Sequence, residues 1–176
     1  MSKAWQHFCT ITQHKIYVAK GCFKVGLYWQ GLMHDMSKYS PVEFRVGAKY
    51  YQGTRSPNSA EREEKGCSPA WLHHKGRNKH HFEYWIDYAS NVDEVLAGMK
   101  MPNRYIVEMF MDRIAACKVY LKDKYVDRSP LDYYNRSKHR LVLHDYTRNM
   151  LETLLEMLAE KGEEETFRYI RKEIKL

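Results

Sequence analysis

The sequence predicts an all-α, single-domain helical bundle, and three observations carry that expectation. Apolar residues recur at i, i+3 and i+4 along several segments, the spacing of one buried helix face. Ser-Pro pairs stand at Ser40-Pro41, Ser68-Pro69 and Ser129-Pro130, where serine would cap free N–H groups and proline is tolerated at the first helical position. No segment alternates with period two or carries a hairpin turn signal, so no strand is expected. The 176 residues, 44% of them hydrophobic, suit one domain with its own core.

Taken in order, a first helix is expected from about Ala4 into the region of Trp29, with His7, Ile11, His14, Val18, Cys22, Val25 and Trp29 on its inward stripe. A helix follows Pro41 to about Tyr51, with Glu43 completing a capping box on Ser40. The polar stretch from Gly53 to Gly66 reads as a surface loop able to act as a lid. Further helices are expected from Pro69 to about Tyr88, from Pro102 to about Lys122, and from Tyr146 to Lys161, the last with Met150, Leu151, Leu154, Leu155 and Leu158 as its packing face. There is no internal repeat.

Composition narrows the function. No stretch is long and apolar enough to span a bilayer, and the first residues lack the apolar core of a secretory signal, so the expectation is a cytoplasmic protein with no membrane partner. Cys9, Cys22, Cys67 and Cys117 form no C-x-x-C pair, which argues against a disulfide framework or a zinc knuckle. The formal net charge of +7 favours anionic partners, but the basic residues are dispersed rather than gathered into a nucleic-acid arm. The abundance of Tyr and Trp suits either a core or a surface between copies of the chain, which leaves room for a homo-oligomer.

The chemistry lies in histidines and acids. His34 and Asp35 are adjacent, with Lys38 one turn on. Imidazole and carboxylate together suit Mn, Fe, Co, Ni or Zn better than Mg, and a lysine beside them would neutralise an anion. A second His-Asp pair, His144-Asp145, precedes the long C-terminal helix, and there Asp145 reads as a helix cap. His14 lies within the apolar stripe of the first helix. Four of the nine histidines, His73, His74, His80 and His81, fall within nine residues flanked by Trp71 and Trp85. On one continuous helix Trp71, His74, Asn78, His81 and Trp85 would share a face, with His73, Arg77, His80 and Tyr84 on the next. Asp112 shares helical spacing with Tyr105, Met109, Ala116 and Val119, and an acid on an apolar face calls for a cation.

The order His14 … His34-Asp35 … Asp112 resembles the ligand pattern of the HD-domain superfamily of metal-dependent phosphohydrolases. Lys38 and the histidine pairs are similar to its two-metal phosphodiesterase branch, although the Gly-Tyr-Pro segment of the cyclic-dinucleotide enzymes is absent here. The chain also resembles, over about residues 10–150, an uncharacterised family of bacterial and phage proteins. That family carries His-Asp-x-Ser-Lys (here His34 to Lys38), Asn-x-His-His-x-x-Tyr-Trp (Asn78 to Trp85) and Met-Pro … Glu-Met … Asp (Met101-Pro102 … Glu108-Met109 … Asp112). The resemblance implies an HD-like domain over residues 1–176, with a metal-site core at about 10–125 and C-terminal helices at 130–176 packed on it.

It also implies one or two divalent metal ions. His14, His34, Asp35 and Asp112 would hold one, and Asp35 would bridge to a second held by His74 and one or both of His80 and His81. Lys38 and Arg77 would neutralise phosphoryl oxygens, and His80 would protonate the leaving oxygen. The expected substrate is a small anion, a nucleotide in the first instance, for a phosphomonoesterase or phosphodiesterase. Two alternatives stay open. One is a metal-dependent nuclease acting on nucleic acid, and the other is a non-enzymatic protein that sequesters a nucleotide.

Overall fold

A computed structural model describes residues 1–90 and 93–176. The chain begins with α1 (Lys3–Lys24), whose Ser2 cap accepts from Trp5 N, and α2 (Tyr28–Met33). A 3₁₀ turn (Met36–Tyr39) leads to α3 (Pro41–Lys49) and α4 (Pro57–Lys65). Then come α5 (Pro69–Lys75), a 3₁₀ turn (Phe82–Trp85), and strands β1 (Ile86–Tyr88) and β2 (Leu96–Gly98). The C-terminal part holds α6 (Asn103–Leu121), α7 (Ser129–Ser137) and α8 (Asp145–Glu173). The fold is mostly helical. Among the described residues no helix is long and apolar enough to cross a membrane.

The core forms around α6. Ile106, Val107, Met109, Phe110, Met111, Ile114 and Ala115 are all buried, so this helix is apolar on most of its circumference and runs through the middle. Val18 and Cys22 of α1 pack on one side of it. Leu131 and Tyr134 of α7 and Leu151, Leu154, Leu155, Leu158, Phe167 and Ile170 of α8 join the same cluster. Gly162 sits at φ +78° and interrupts α8, a conformation that a residue with a Cβ resists. Arg171 beyond that break donates to Lys24 O (2.7 Å), tying α8 to the end of α1.

Several expectations are corrected. The first helix stops at Lys24, because Gly26 turns the chain at φ +85°, and Trp29 on α2 is 69% exposed rather than inward. The stretch from Gly53 to Gly66 is not a loop. Ser56-Pro57 starts α4, a fourth Ser-Pro helix start overlooked beneath the polar composition, and Gly66 ends it at φ +75°. The helix expected from Pro69 to Tyr88 ends at Lys75, with Gly76, a weak helix former, as its C-cap. Beyond it, β1 and β2 pair antiparallel with Ile86 opposite Gly98, so strands are present despite the lack of alternation. Such three-residue strands are too short to show a period. Ser40 makes no side-chain cap bond, and Arg128 rather than Ser129 is the N-cap of α7. At the second His-Asp pair His144 is the cap, its Nδ1 accepting from Tyr146 N (3.1 Å), and Asp145 is the first helical residue.

Candidate metal centre

The centre is built where α1, the end of α2, α5 and α6 face one another. Lys15 of α1 donates to the carbonyls of Leu32 (2.5 Å) and His34 (3.0 Å), placing a cation on the C-terminus of α2 and fixing the turn that follows. In that turn Asp35 takes a left-handed conformation, φ 54° and ψ 24°. Aspartate tolerates that region better than most residues, but it remains strained. The strain turns the Asp35 carboxylate inward, where it is 2% exposed.

Five imidazoles surround that carboxylate. On the Oδ2 side stand His34 Nε2 (3.3 Å) and His14 Nε2 (3.8 Å), with Asp112 Oδ1 2.9 Å from His14 Nε2. On the Oδ1 side stand His74 Nε2 (3.2 Å) and His80 Nε2 (3.5 Å), with His81 Nε2 2.8 Å from that of His74. Ligand atoms of His14, His34, Asp35 and Asp112 lie within 4.8 Å of one another, as do those of Asp35, His74, His80 and His81. Asp35 belongs to both groups and turns one oxygen to each.

The far sides of the rings are held by carboxylates. Glu108 Oε1 accepts from His34 Nδ1 (2.9 Å) and lies 3.1 Å from His80 Nδ1. Glu43 accepts from His74 Nδ1 (2.8 Å) and His73 Nδ1 (2.6 Å). An ionised carboxylate has no proton to give, so Nδ1 must be the donor, and in the neutral ring Nε2 keeps a free lone pair aimed at Asp35. Asn78 donates to His74 O and Ser37 Oγ (both 2.8 Å), closing the turn that delivers His80 and His81. Glu108 and Asp112 are one helical turn apart, so α6 presents both on one face.

The electrostatics match a cation site. Four carboxylates, Asp35, Asp112, Glu108 and Glu43, are gathered at or beneath the surface beside one lysine, Lys38, whose Nζ lies 2.5 Å from Asp35 Oδ2. Burial by itself would raise the Asp35 pKa, but the charges of His34, Lys38 and His74 outweigh it and hold the group well below the usual carboxylate range. Asp112 is likewise pulled down, with hydrogen bonds from His14 and His34 overcoming its burial. Burial, reinforced by His80 and His74, pushes His81 well below the ordinary imidazole value, and burial with Lys38 does the same for His14. Both rings are therefore neutral, the form that ligates metal. His34 goes the other way, since Asp35, Asp112 and Glu108 outweigh its burial. Among the described residues neither Asp35 oxygen nor His80 Nε2 has a hydrogen-bond partner of good geometry, although all three atoms are buried. Beyond the Lys38 ammonium at Asp35 Oδ2, lone pairs at the meeting point of the two histidine groups are ones that a metal ion would satisfy. The donors are nitrogen and carboxylate oxygen with no thiolate, the set that suits Mn, Fe, Co, Ni or Zn.

Of the residues expected from sequence, His14, His34, Asp35, His74, His81 and Asp112 come together here, with Lys38 at the edge. Arg77 does not. It is exposed and its guanidinium donates to His73 O (3.2 Å), because the helix ends before the turn that would carry it inward. His80 is not poised as an acid over the site. It is 1% exposed and stands among the ligand atoms. Glu108 and Glu43 were missed. The one-turn offset of Glu108 from Asp112 was a usable signal, whereas Glu43 was absorbed by its reading as a cap.

Fold and cluster together define a mostly helical protein with a buried His/Asp cluster that could hold a metal ion. The chain belongs to the DUF5662 family, a family of unknown function, whose profile matches residues 3–157. No curated protein and no solved structure matches it.

Proposed function

We propose that the protein is a metal-dependent phosphohydrolase, acting on a nucleotide-like substrate through a His/Asp centre of one or two metal ions. The observation that carries the reading is the division of Asp35, with one oxygen facing His14, His34 and Asp112 and the other facing His74, His80 and His81. A carboxylate so placed suits two ions held side by side, the arrangement that favours displacement at phosphorus. When bound, such ions acidify water and polarise a phosphoryl oxygen.

The chain's own groups supply the rest. Glu108 and Glu43 orient the imidazoles so that Nε2 faces inward. Lys38, half-buried, presents its ammonium at the edge of the cluster, where it stabilises negative charge on a phosphoryl group. The nuclease alternative gains nothing from the hairpin, since β1 and β2 carry none of the clustered residues. Purified protein is analysed for bound metal and assayed on nucleotides, phosphomonoesters and phosphodiesters. Metal-dependent hydrolysis lost in His34→Ala and Asp35→Ala is the expected result, and full activity in either variant overturns the proposal.

A further inference from the structure

Beside the cluster lies a second feature, a cavity of about 50 Å³ walled by α1, α3 and the start of α4. Lys38 belongs to both, since its ammonium pairs with Asp35 and its side chain lines the cavity.

The walls carry hydrogen-bonding groups suited to an anion. Thr10 and Tyr51 contribute hydroxyls 2.8 Å apart, and Tyr120 a third. Ser56 caps α4, yet its side chain makes no hydrogen bond to its own helix, and the first turn of α4 holds no acid. Ser56, Pro57 and Asn58 at this helix start line the cavity, and the positive end of a helix favours an anion. Independently, His7 lines the same cavity at 5% exposure, and its Nδ1 has no hydrogen-bond partner among the described residues. Glu43 is the one acid in the wall, and both its oxygens are committed to His73 and His74.

Size decides what fits. A water needs about 10–15 Å³ measured in this way, so the space holds roughly three to five waters. That matches the oxygens of one phosphate and falls far below the ~300 Å³ at which pockets for larger ligands begin. We propose that this cavity is a phosphate pocket, which takes the terminal phosphoryl group of a small phosphomonoester and then the inorganic phosphate released. The inference rests on the phosphohydrolase reading and narrows it from esters in general to monoesters. A diester carries a substituent on one of the three oxygens that would face these walls, and the space has no room for it. In the reaction the oxygen of water bonds to phosphorus and the bond from phosphorus to the alcohol oxygen breaks. One water proton ends on the alcohol and the other on phosphate.

The test uses the whole chain, loaded with metal and stripped of it, and inorganic phosphate as probe. Phosphate binding is measured by calorimetry for the wild type, Thr10→Val and Ser56→Ala, with circular dichroism verifying the fold of each. Hydrolysis of p-nitrophenyl phosphate is compared with that of bis-p-nitrophenyl phosphate. The expected result is phosphate binding weakened about five- to tenfold in each variant, the loss of one hydrogen bond. Metal content is unchanged, KM for the monoester rises, and the diester is turned over far more slowly. Phosphate affinity equal in all three proteins overturns the pocket, as does a diester turned over as fast as the monoester. Asp35-dependent hydrolysis without the binding effect sinks the pocket and leaves the phosphohydrolase standing. Variant-sensitive phosphate binding without hydrolysis does the reverse.

Discussion

Glu108 holds an imidazole from each half of the cluster, His34 by a 2.9 Å hydrogen bond and His80 at 3.1 Å. Replacing it by Gln keeps the volume but removes the charge that fixes both rings. Metal affinity in Glu108→Gln should fall about 10–100-fold, read by titration with a chelating indicator. A second residue supplies a pH dependence away from the ligands. His7 is lowered from 6.5 to about 4, first by burial and then by the charge of Lys38. Its folded pKa is depressed, so the unfolded chain takes up the proton first. Its contribution to stability is complete above pH 6.5 and is lost as pH falls from 6.5 towards about 4. Urea denaturation across that window should show the loss, up to ~3 kcal/mol, and a flatter profile in His7→Gln. The residue types were legible in the sequence, because His, Asp and Lys announce ligand chemistry. Their partners were less so, since Glu43 beside a Ser-Pro start looks like part of a cap until His73 and His74 are seen against it.

At the scale of elements, α1 and α3 cross at a point where only glycine fits. A Cβ on Gly47 would lie 2.1 Å from His7 Nε2 and 2.5 Å from Cε1, inside a buried ring that has little room to withdraw. Gly47→Ala should therefore destabilise the fold by about 1–3 kcal/mol, seen as a lowered urea midpoint with unchanged slope. The same substitution at Gly26 or Gly66 meets no neighbouring atom, and there the positive φ is the source of strain. Helix positions were readable wherever Ser-Pro or an apolar stripe marked them, as for α3, α5 and α6. Element ends were less readable, because one glycine decides them. The end of α5 at Lys75 separates His80, which lies inward, from Arg77, which lies outward, although on one continuous helix the two would share a face.

For the whole molecule, the candidate ligands come from segments 14, 34–35, 74–81 and 108–112, and an ion held by His14, His34, Asp35 and Asp112 would cross-link three of these. An ion that binds only the folded state at about 100 times its Kd adds ~2.7 kcal/mol, or roughly 5–10 °C in melting temperature for a domain of this size. Adding Mn, Fe, Co, Ni or Zn to chelator-treated protein should raise the melting temperature by that order, with the rise absent in Asp35→Ala. No shift with any of the five metals would remove the basis for a metal centre.

The sequence by itself determined that the chain is mostly helical and which residue types carry the chemistry. Both are local properties, written in spacing and in the donors each side chain owns. The tertiary structure alone decided which histidines meet, that Asp35 turns its two oxygens to different groups, and that Glu108 joins them. It also gives the physical basis for the difference between His34-Asp35 and His144-Asp145, which helical phase in the sequence already sets apart. The first pair is buried in a strained turn facing α6, and the second lies exposed at the start of α8. Such differences depend on contacts between residues tens of positions apart. Helical phase can suggest those contacts, but only the packing of α1, α5 and α6 around the turn at Asp35 brings them about.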